Sequence, residues 1–190
     1  MADFEKIVLD ADVKIGCFLG SENVLFIKTG QGGTIYGYDN KYLSLAIRIR
    51  EEYGFSVFVS ETTVDNEETY KREMEIVNDI FENKGLQIYY LGVSKGGLIG
   101  CWYGAKNPYV KRIMMINAPL MLNFHSKTLP AIKSFGCEKI LAVYGALDPS
   151  YNYTPFIKNH TILRVIEGAD HNLMGSDVSL YDLVRDLIKE

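Results

Sequence analysis

The sequence predicts an α/β fold in which a mostly parallel sheet carries helices on both faces. Two features of the chain support this prediction. Two short β-rich runs joined by a polar turn come first, and short apolar runs then alternate with segments of helical periodicity. The opening pair is typical of an antiparallel hairpin, whereas strand–helix alternation is typical of a parallel sheet.

About eight strands are predicted. The hairpin consists of residues 4–9 and 13–18, which flank the polar turn Asp10-Ala11-Asp12. The other strands are nearly continuous apolar runs, as expected for strands buried on both faces. They cover residues 24–27, 56–59, 88–91, 113–116, 140–144 and 162–166.

Apolar residues at three- and four-residue spacing predict the helices between these strands. Gly54 is suited to end the first helix in the left-handed conformation, and Gly85 is placed to stop the second. Residues 119–136 are less regular. The predicted helices begin near Tyr42, Tyr70, Lys95 and Leu180.

Length and charge limit the class of protein. The 190 residues suit a single domain, 1–190, and 20 basic against 24 acidic residues give a net charge of −4. Without a basic cluster we expect no nucleic-acid partner, and without an apolar run of roughly 20 residues we expect no membrane span. Oligomeric state is not predicted by any of these features.

Cysteine usage and the amino-terminal residues bear on location. Cys17, Cys101 and Cys137 are widely spaced and form no CxxC pair, so we expect reduced thiols and no metal site. The first ten residues carry charges where a signal peptide would be apolar. We therefore expect a cytoplasmic protein.

A candidate nucleophile lies in the segment Gly92-Val93-Ser94-Lys95-Gly96-Gly97, which matches G-x-S-x-G. An apolar strand precedes the motif and a helix follows it, which is the context that gives the motif meaning. A sharp strand-to-helix turn would expose the Ser94 hydroxyl above the sheet. It would also direct the backbone N–H of Lys95 toward a developing oxyanion.

A serine nucleophile needs a base, and the base needs an orienting acid. His171 follows the last predicted strand, where the carboxyl ends of parallel strands hold ligands, whereas His125 and His160 lie elsewhere. Asp148 follows the preceding strand and is the predicted acid. Its competitor Asp170 is adjacent to His171, and consecutive residues rarely face each other.

A glycine-rich loop, Thr29-Gly30-Gln31-Gly32-Gly33, leaves the third strand at the same edge of the sheet. Its glycines free backbone amides, and we expect the N–H of Gln31 to be a second oxyanion donor. The loop lacks the G-x-G-x-x-G and G-x-x-x-x-G-K-[ST] spacings of nucleotide sites. A phosphate cradle is therefore the less favoured interpretation.

Together the segments TGQGG, GVSKGG, GALDP and GADHN, with the chain order Ser94, Asp148, His171, resemble the α/β-hydrolase superfamily. The resemblance runs from about Val24 to the carboxyl terminus. It implies a three-layer fold with an eight-stranded sheet, a serine hydrolase mechanism without a metal or other cofactor, and a cap reduced to about residues 120–135. The family's first oxyanion loop commonly begins His-Gly, where this chain has Thr29-Gly30.

The sequence thus predicts a carboxylesterase- or thioesterase-like enzyme whose substrate is a small-molecule acyl ester or thioester. Acyltransferase or peptidase chemistry uses the same triad, and a non-catalytic ligand-binding module with this fold is a further alternative. Aromatic and apolar residues near the predicted site suit a small or medium acyl group. The predicted pocket residues are Gly30, Tyr36, Tyr38, Leu120 and Met121.

Overall fold

The computed structural model describes residues 3–62, 66–82, 84–136 and 139–189. Eight strands form one sheet in the spatial order β1-β2-β4-β3-β5-β6-β7-β8. The strands are β1 Lys6–Asp10, β2 Val13–Phe18, β3 Ser21–Gln31, β4 Phe55–Thr62, β5 Gln87–Val93, β6 Val110–Ile116, β7 Ile140–Gly145 and β8 Ile162–Ile166.

The predicted mixture of strand directions is confirmed. β1 and β2 pair as an antiparallel hairpin, and β2 pairs antiparallel with β4. Every other pairing in the sheet, from β4 across to β8, is parallel. The carboxyl ends of β3, β5, β6, β7 and β8 therefore lie along one edge of the sheet.

Helices cover the two faces of this sheet. They are α1 Lys41–Tyr53, α2 Glu67–Phe81, α3 Lys95–Tyr103, α4 Leu129–Phe135 and α5 Leu180–Lys189. One apolar cluster joins the sheet to α1 and α5, and a second joins it to α2, α3 and α4. The strands supply both clusters by alternation. In β3, for example, Phe26 faces the second cluster and Ile27 the first.

Tertiary contacts move some boundaries from their predicted places. β3 extends from the predicted 24–27 to 11 residues, since its polar ends pair with β4. α2 ends at Phe81 because Glu82 takes the left-handed conformation, and Gly85, with φ of +69°, lies in the turn before β5. The irregular stretch contains a π-helical turn, Phe124–Thr128, followed by α4.

A buried ion pair supports the end of β3. Lys28 and Glu73 are both fully buried and in direct contact, and the Lys28 ammonium also donates to Ser60 Oγ at 3.3 Å and to the Glu61 carbonyl at 3.2 Å. Burial raises the pKa of the Glu73 carboxyl, and the Lys28 charge opposes that rise. The pair thus joins α2 to β3 one residue before the glycine-rich loop begins.

We expect Lys28→Met to lower the free energy of unfolding by about 3–5 kcal/mol, because it leaves Glu73 buried without its cation. The loss should shrink as the pH falls toward 4.5, the ordinary glutamate value. A native-state pKa above that value means that the folded protein binds more protons, so its stability falls as pH rises. Urea unfolding at several pH values measures both effects.

The matched variant for this test is Lys28→Met combined with Glu73→Leu. It removes both charges and replaces them with apolar side chains, so most of the lost stability should return. If the single and double variants lose the same free energy of unfolding, the loss is not due to an unpaired Glu73 carboxylate.

Candidate active site

The turn between β5 and α3 places Ser94 at the carboxyl edge of the sheet. Its backbone has φ of 50° and ψ of −122°, a strained conformation for a residue with a side chain. The flanking glycines allow it. A Cβ on Gly92 would lie 2.4 Å from the Gly96 backbone, and one on Gly96 would lie 2.4 Å from the Lys28 carbonyl oxygen. Helix and strand therefore approach as closely as the predicted elbow requires.

The Ser94 hydroxyl is turned away from the helix that follows it. Serine at a helix N-cap ordinarily accepts a hydrogen bond from a nearby backbone N–H, but Ser94 makes no such side-chain bond. Its Oγ lies 3.1 Å from His171 Nε2 instead. The hydroxyl is thus within hydrogen-bond distance of an imidazole nitrogen that is able to take its proton.

The other imidazole nitrogen, His171 Nδ1, contacts Asp148 Oδ2. The two side chains differ in exposure: that of His171 is 44% exposed, and that of Asp148 is fully buried. Asp148 Oδ1 also accepts a hydrogen bond of 2.7 Å from the Ser150 backbone N–H. These contacts hold the carboxylate in place behind the ring while the ring itself reaches the cavity.

Asp170, the competing acid, is used within its own loop. Its Oδ1 accepts hydrogen bonds from the backbone N–H groups of Asn172, at 2.8 Å, and Met174, at 2.9 Å. This arrangement closes a tight turn after His171. The carboxylate of Asp170 therefore shapes the loop that carries the imidazole, and the contact with the ring is made by Asp148.

Asn117 joins the two loops that carry Asp148 and His171, and sequence reasoning missed it. It follows β6, is fully buried and has a left-handed φ of 48°. Its Oδ1 accepts from the Gly145 N–H at 2.9 Å. Its Nδ2 donates to the carbonyls of Asp170, at 3.2 Å, and His171, at 2.8 Å. A buried amide that bridges three backbone groups is a positioning residue.

We expect Asn117→Ala to lower the free energy of unfolding by about 2–3 kcal/mol, because the Gly145 N–H loses its buried partner. Chemical denaturation measures the change. Asn117→Asp is the matched variant: it keeps the acceptor for Gly145 but faces the Asp170 and His171 carbonyls with oxygen, so it should also destabilise. A difference of about 0.5 kcal/mol corresponds to about twofold in the unfolding equilibrium constant. If both variants lie within that range of the wild-type stability, the assignment of Asn117 as a positioning residue is contradicted.

The glycine-rich loop lies directly against the serine. A Cβ on Gly30 would lie 3.2 Å from Ser94 Cβ and 3.9 Å from Ser94 Oγ. The loop turns immediately afterwards: the Gly33 N–H donates to the Gly30 carbonyl at 2.9 Å, and Gly32 has φ of +74°. The backbone of Gly30 is thus held beside Ser94 on the β3 side of β5, and Gln31 is the next residue of the same turn.

A cavity of about 730 Å³ opens above Ser94. The described residues that line it come from the end of β3 and the loop after it, the start of α1, the ends of β5 and β6, and the segment from His171 to the start of α5. They are Gly30, Gln31, Gly32, Gly33, Thr34, Gly37, Tyr38, Lys41, Tyr42, Val93, Ser94, Ile116, His171, Asn172, Leu173, Val178 and Leu180. A smaller cleft of about 320 Å³ beside α2 contains no part of the Ser94–His171–Asp148 contacts.

Three residues expected in the pocket lie outside this cavity. Tyr36 packs against Phe4 and donates its hydroxyl to Asp3 at 3.0 Å. Leu120 is fully buried in the core beside α3 and α4, and Met121 is near Ser150. The expected cap segment, 120–135, buries apolar side chains against α3, and none of its residues is among those that line the cavity.

The other described histidines and cysteines do not line the cavity. His125 is exposed beside Phe124, and His160 lies in the turn before β8. Cys17 and Cys101 are buried free thiols, and Cys137 lies outside the described residues. Within the described part of the chain no cluster of metal-ligating side chains occurs, and no helix there is long and apolar enough to cross a bilayer.

Known structures share this architecture at low sequence identity. Est1E from Butyrivibrio proteoclasticus matches with a TM-score of 0.68 and 14% identity over 97% of this chain and 99% of its own. An α/β serine hydrolase homologue from Coxiella burnetii matches with a TM-score of 0.70 and 16% identity over 99% and 98% of the two chains. XC6422 from Xanthomonas campestris, an α/β serine hydrolase without a lid, matches with a TM-score of 0.63 and 16% identity. The match covers 92% of this chain and 86% of its own.

These likenesses and the strand order show that the chain has the α/β-hydrolase fold. No protein-family model matches the sequence, and no curated protein matches it significantly. The fold and its site geometry are therefore the basis for any functional conclusion.

Proposed function

We propose that this chain is a serine hydrolase that cleaves a small or medium acyl ester or thioester. The observation that carries the proposal is the continuous line of contacts from Ser94 Oγ to His171 Nε2 and from His171 Nδ1 to Asp148. A serine hydroxyl at neutral pH is a weak nucleophile, and this arrangement supplies the base and the orienting acid that it needs.

In the first half of the reaction Ser94 Oγ attacks the substrate carbonyl and His171 Nε2 takes the hydroxyl proton. Asp148 stabilises the imidazolium through Nδ1 and fixes the ring's tautomer. Collapse of the tetrahedral intermediate breaks the bond to the leaving alcohol or thiol. His171 returns the proton to that group, and the acyl chain remains as an ester on Ser94.

In the second half a water molecule replaces the leaving group. His171 takes a proton from the water as it attacks the acyl-enzyme, and returns that proton to Ser94 as the carboxylic acid departs. The exposed imidazole favours this step, since 44% of its side-chain surface is accessible to solvent. The overall reaction consumes one ester and one water.

The oxyanion that develops in both halves needs backbone donors. We assign them to the N–H of Lys95, the first residue of α3, and to the N–H of Gln31, in the loop held against Ser94. The amino terminus of a helix favours negative charge, which suits the position of Lys95 to this role. Each such donor contributes about 3–4 kcal/mol of transition-state stabilisation.

Turnover of p-nitrophenyl acetate and hexanoate in buffer tests the proposal. We expect steady release of p-nitrophenol with water as the only acceptor, and faster reaction of these short esters than of the laurate. The cavity is open and Tyr38 at its wall is 83% exposed, so carbons beyond the first few contact water. No release above that of heat-denatured protein would contradict hydrolase activity, and release that stops after one equivalent would contradict water as the acceptor.

A further inference from the structure

Among the described residues that line the cavity above Ser94, one lysine carries a fixed positive charge. Lys41, the first residue of α1, lines it together with Tyr42 and Tyr38. Among the described residues that line the cavity there is no aspartate or glutamate. Of those described residues, His171 is the other group that is able to carry positive charge, and the proposed reaction already uses it.

Nothing in the described structure neutralises the Lys41 ammonium. It takes part in no ion pair there, and its Nζ lies 5.1 Å from the centroid of the Tyr42 ring. The first turn of α1 holds no acidic residue, and a cation at a helix amino terminus is unfavourably placed relative to the helix dipole. Lys41 is an exposed residue, and partial desolvation of its ammonium lowers its pKa. The described residues therefore give this cation an aromatic ring as a neighbour but no carboxylate.

The rest of that wall is mostly apolar or uncharged. Leu173, Val178 and Leu180 come from the segment after His171, and the Tyr42 ring comes from α1. Such a surface favours contact with the hydrocarbon part of a ligand and does not select for a charged group. A ligand that reaches from Ser94 to Lys41 along it would need an apolar spacer between the reacting carbonyl and the group that pairs with the ammonium.

Building on the proposed function, we propose that Lys41 selects esters that carry one carboxylate, separated from the scissile carbonyl by a short hydrocarbon spacer. A single ammonium on a flexible stem balances one negative charge and offers no second cation or rigid fork for a dianion. The protein's net charge of −4 also disfavours more highly charged anions. Lys41 thereby acts as a residue that determines specificity and takes no part in bond making.

Two ester pairs test this inference and show which side of the ester carries the charge. Mono-p-nitrophenyl adipate against p-nitrophenyl hexanoate places the carboxylate on the acyl side. In the second pair, 4-acetoxybenzoate against phenyl acetate places it on the alcohol side. We expect Lys41→Gln to lower the ratio of kcat/KM for the anionic ester to that for the neutral one by about tenfold in one of the pairs.

Two further variants control for charge and for structure. Lys41→Arg keeps the positive charge and should retain most of the selectivity, whereas Lys158→Gln removes an exposed lysine before β8 and should leave both ratios unchanged. Raising the salt concentration should reduce the wild-type preference, because the contact is near the surface. An unchanged ratio in both pairs for Lys41→Gln would overturn the inference.

Binding separates failure of this inference from failure of the proposed function. If neutral esters are hydrolysed through Ser94 but the ratios do not respond to Lys41→Gln, the inference alone is wrong. If no ester is hydrolysed, titration calorimetry with hexanoate still tests whether Lys41 binds a carboxylate, because it requires no turnover. About tenfold weaker hexanoate binding by Lys41→Gln than by wild type and Lys158→Gln supports the inference, and equal affinities overturn it.

Discussion

Ser94→Ala is expected to lower kcat/KM for p-nitrophenyl acetate by at least about 10⁴-fold, because the proposed acyl-enzyme forms on its hydroxyl. The variant keeps the β-carbon that packs against Gly30 and loses only the Oγ that lies 3.1 Å from His171. Folding should therefore be retained, which circular dichroism and urea unfolding measure.

The matched control is Ser126→Ala, an exposed serine in the π-helical turn beside α3. It should keep the wild-type rate. If folded Ser94→Ala keeps more than about a tenth of the wild-type activity, the nucleophile assigned here is wrong. His171→Ala should produce a loss of similar size, since the base and the nucleophile act as one unit.

The second large effect concerns the two aspartates near His171. We expect Asp148→Asn to lower kcat by about 10⁴-fold, because an amide in that position favours the wrong imidazole tautomer. Asp170→Asn should lower it by less than about tenfold. The Asp170 side chain accepts from two backbone N–H groups, and an asparagine oxygen is able to accept the same bonds.

Comparing these two variants on one ester, with unfolding curves for each, distinguishes chemistry from loop structure. Both substitutions preserve size and remove one negative charge. A larger loss from Asp170→Asn than from Asp148→Asn would contradict the assignment of Asp148 as the orienting acid, although Ser94 and His171 would keep their roles.

The fold was predictable because its determinants are local. Alternating apolar runs and helical spacing identify the strands and most helices, and the polar turn at Asp10 identifies the hairpin. Boundaries were less predictable, because pairing decides them. The polar end of β3 reads as a loop in sequence, yet Gln31 pairs with Thr62 of β4, and Lys28 is buried against Glu73.

The position of a candidate-site residue was predictable where it follows a strand within a recognisable motif, as Ser94 does. Asn117 also follows a strand, but its role arises from hydrogen bonds to residues 28, 53 and 54 positions away in the chain. The residues next to Asn117 in the sequence do not predict such distant contacts. Lys41 likewise reaches the cavity only because α1 begins beside the glycine-rich loop. Leu120 and Met121 are close in sequence to the end of β6, but Leu120 packs into the core and Met121 is exposed near Ser150, so neither lines the cavity.

Mass spectrometry of the native protein after reaction with a fluorophosphonate tests the central claim most directly. An activated serine attacks phosphorus, expels fluoride and retains the phosphonyl group. We predict one adduct per chain, located by peptide mapping at Ser94 and absent from both Ser94→Ala and heat-denatured protein. No adduct on the folded wild-type protein, or an adduct at another residue that persists in Ser94→Ala, would contradict the account.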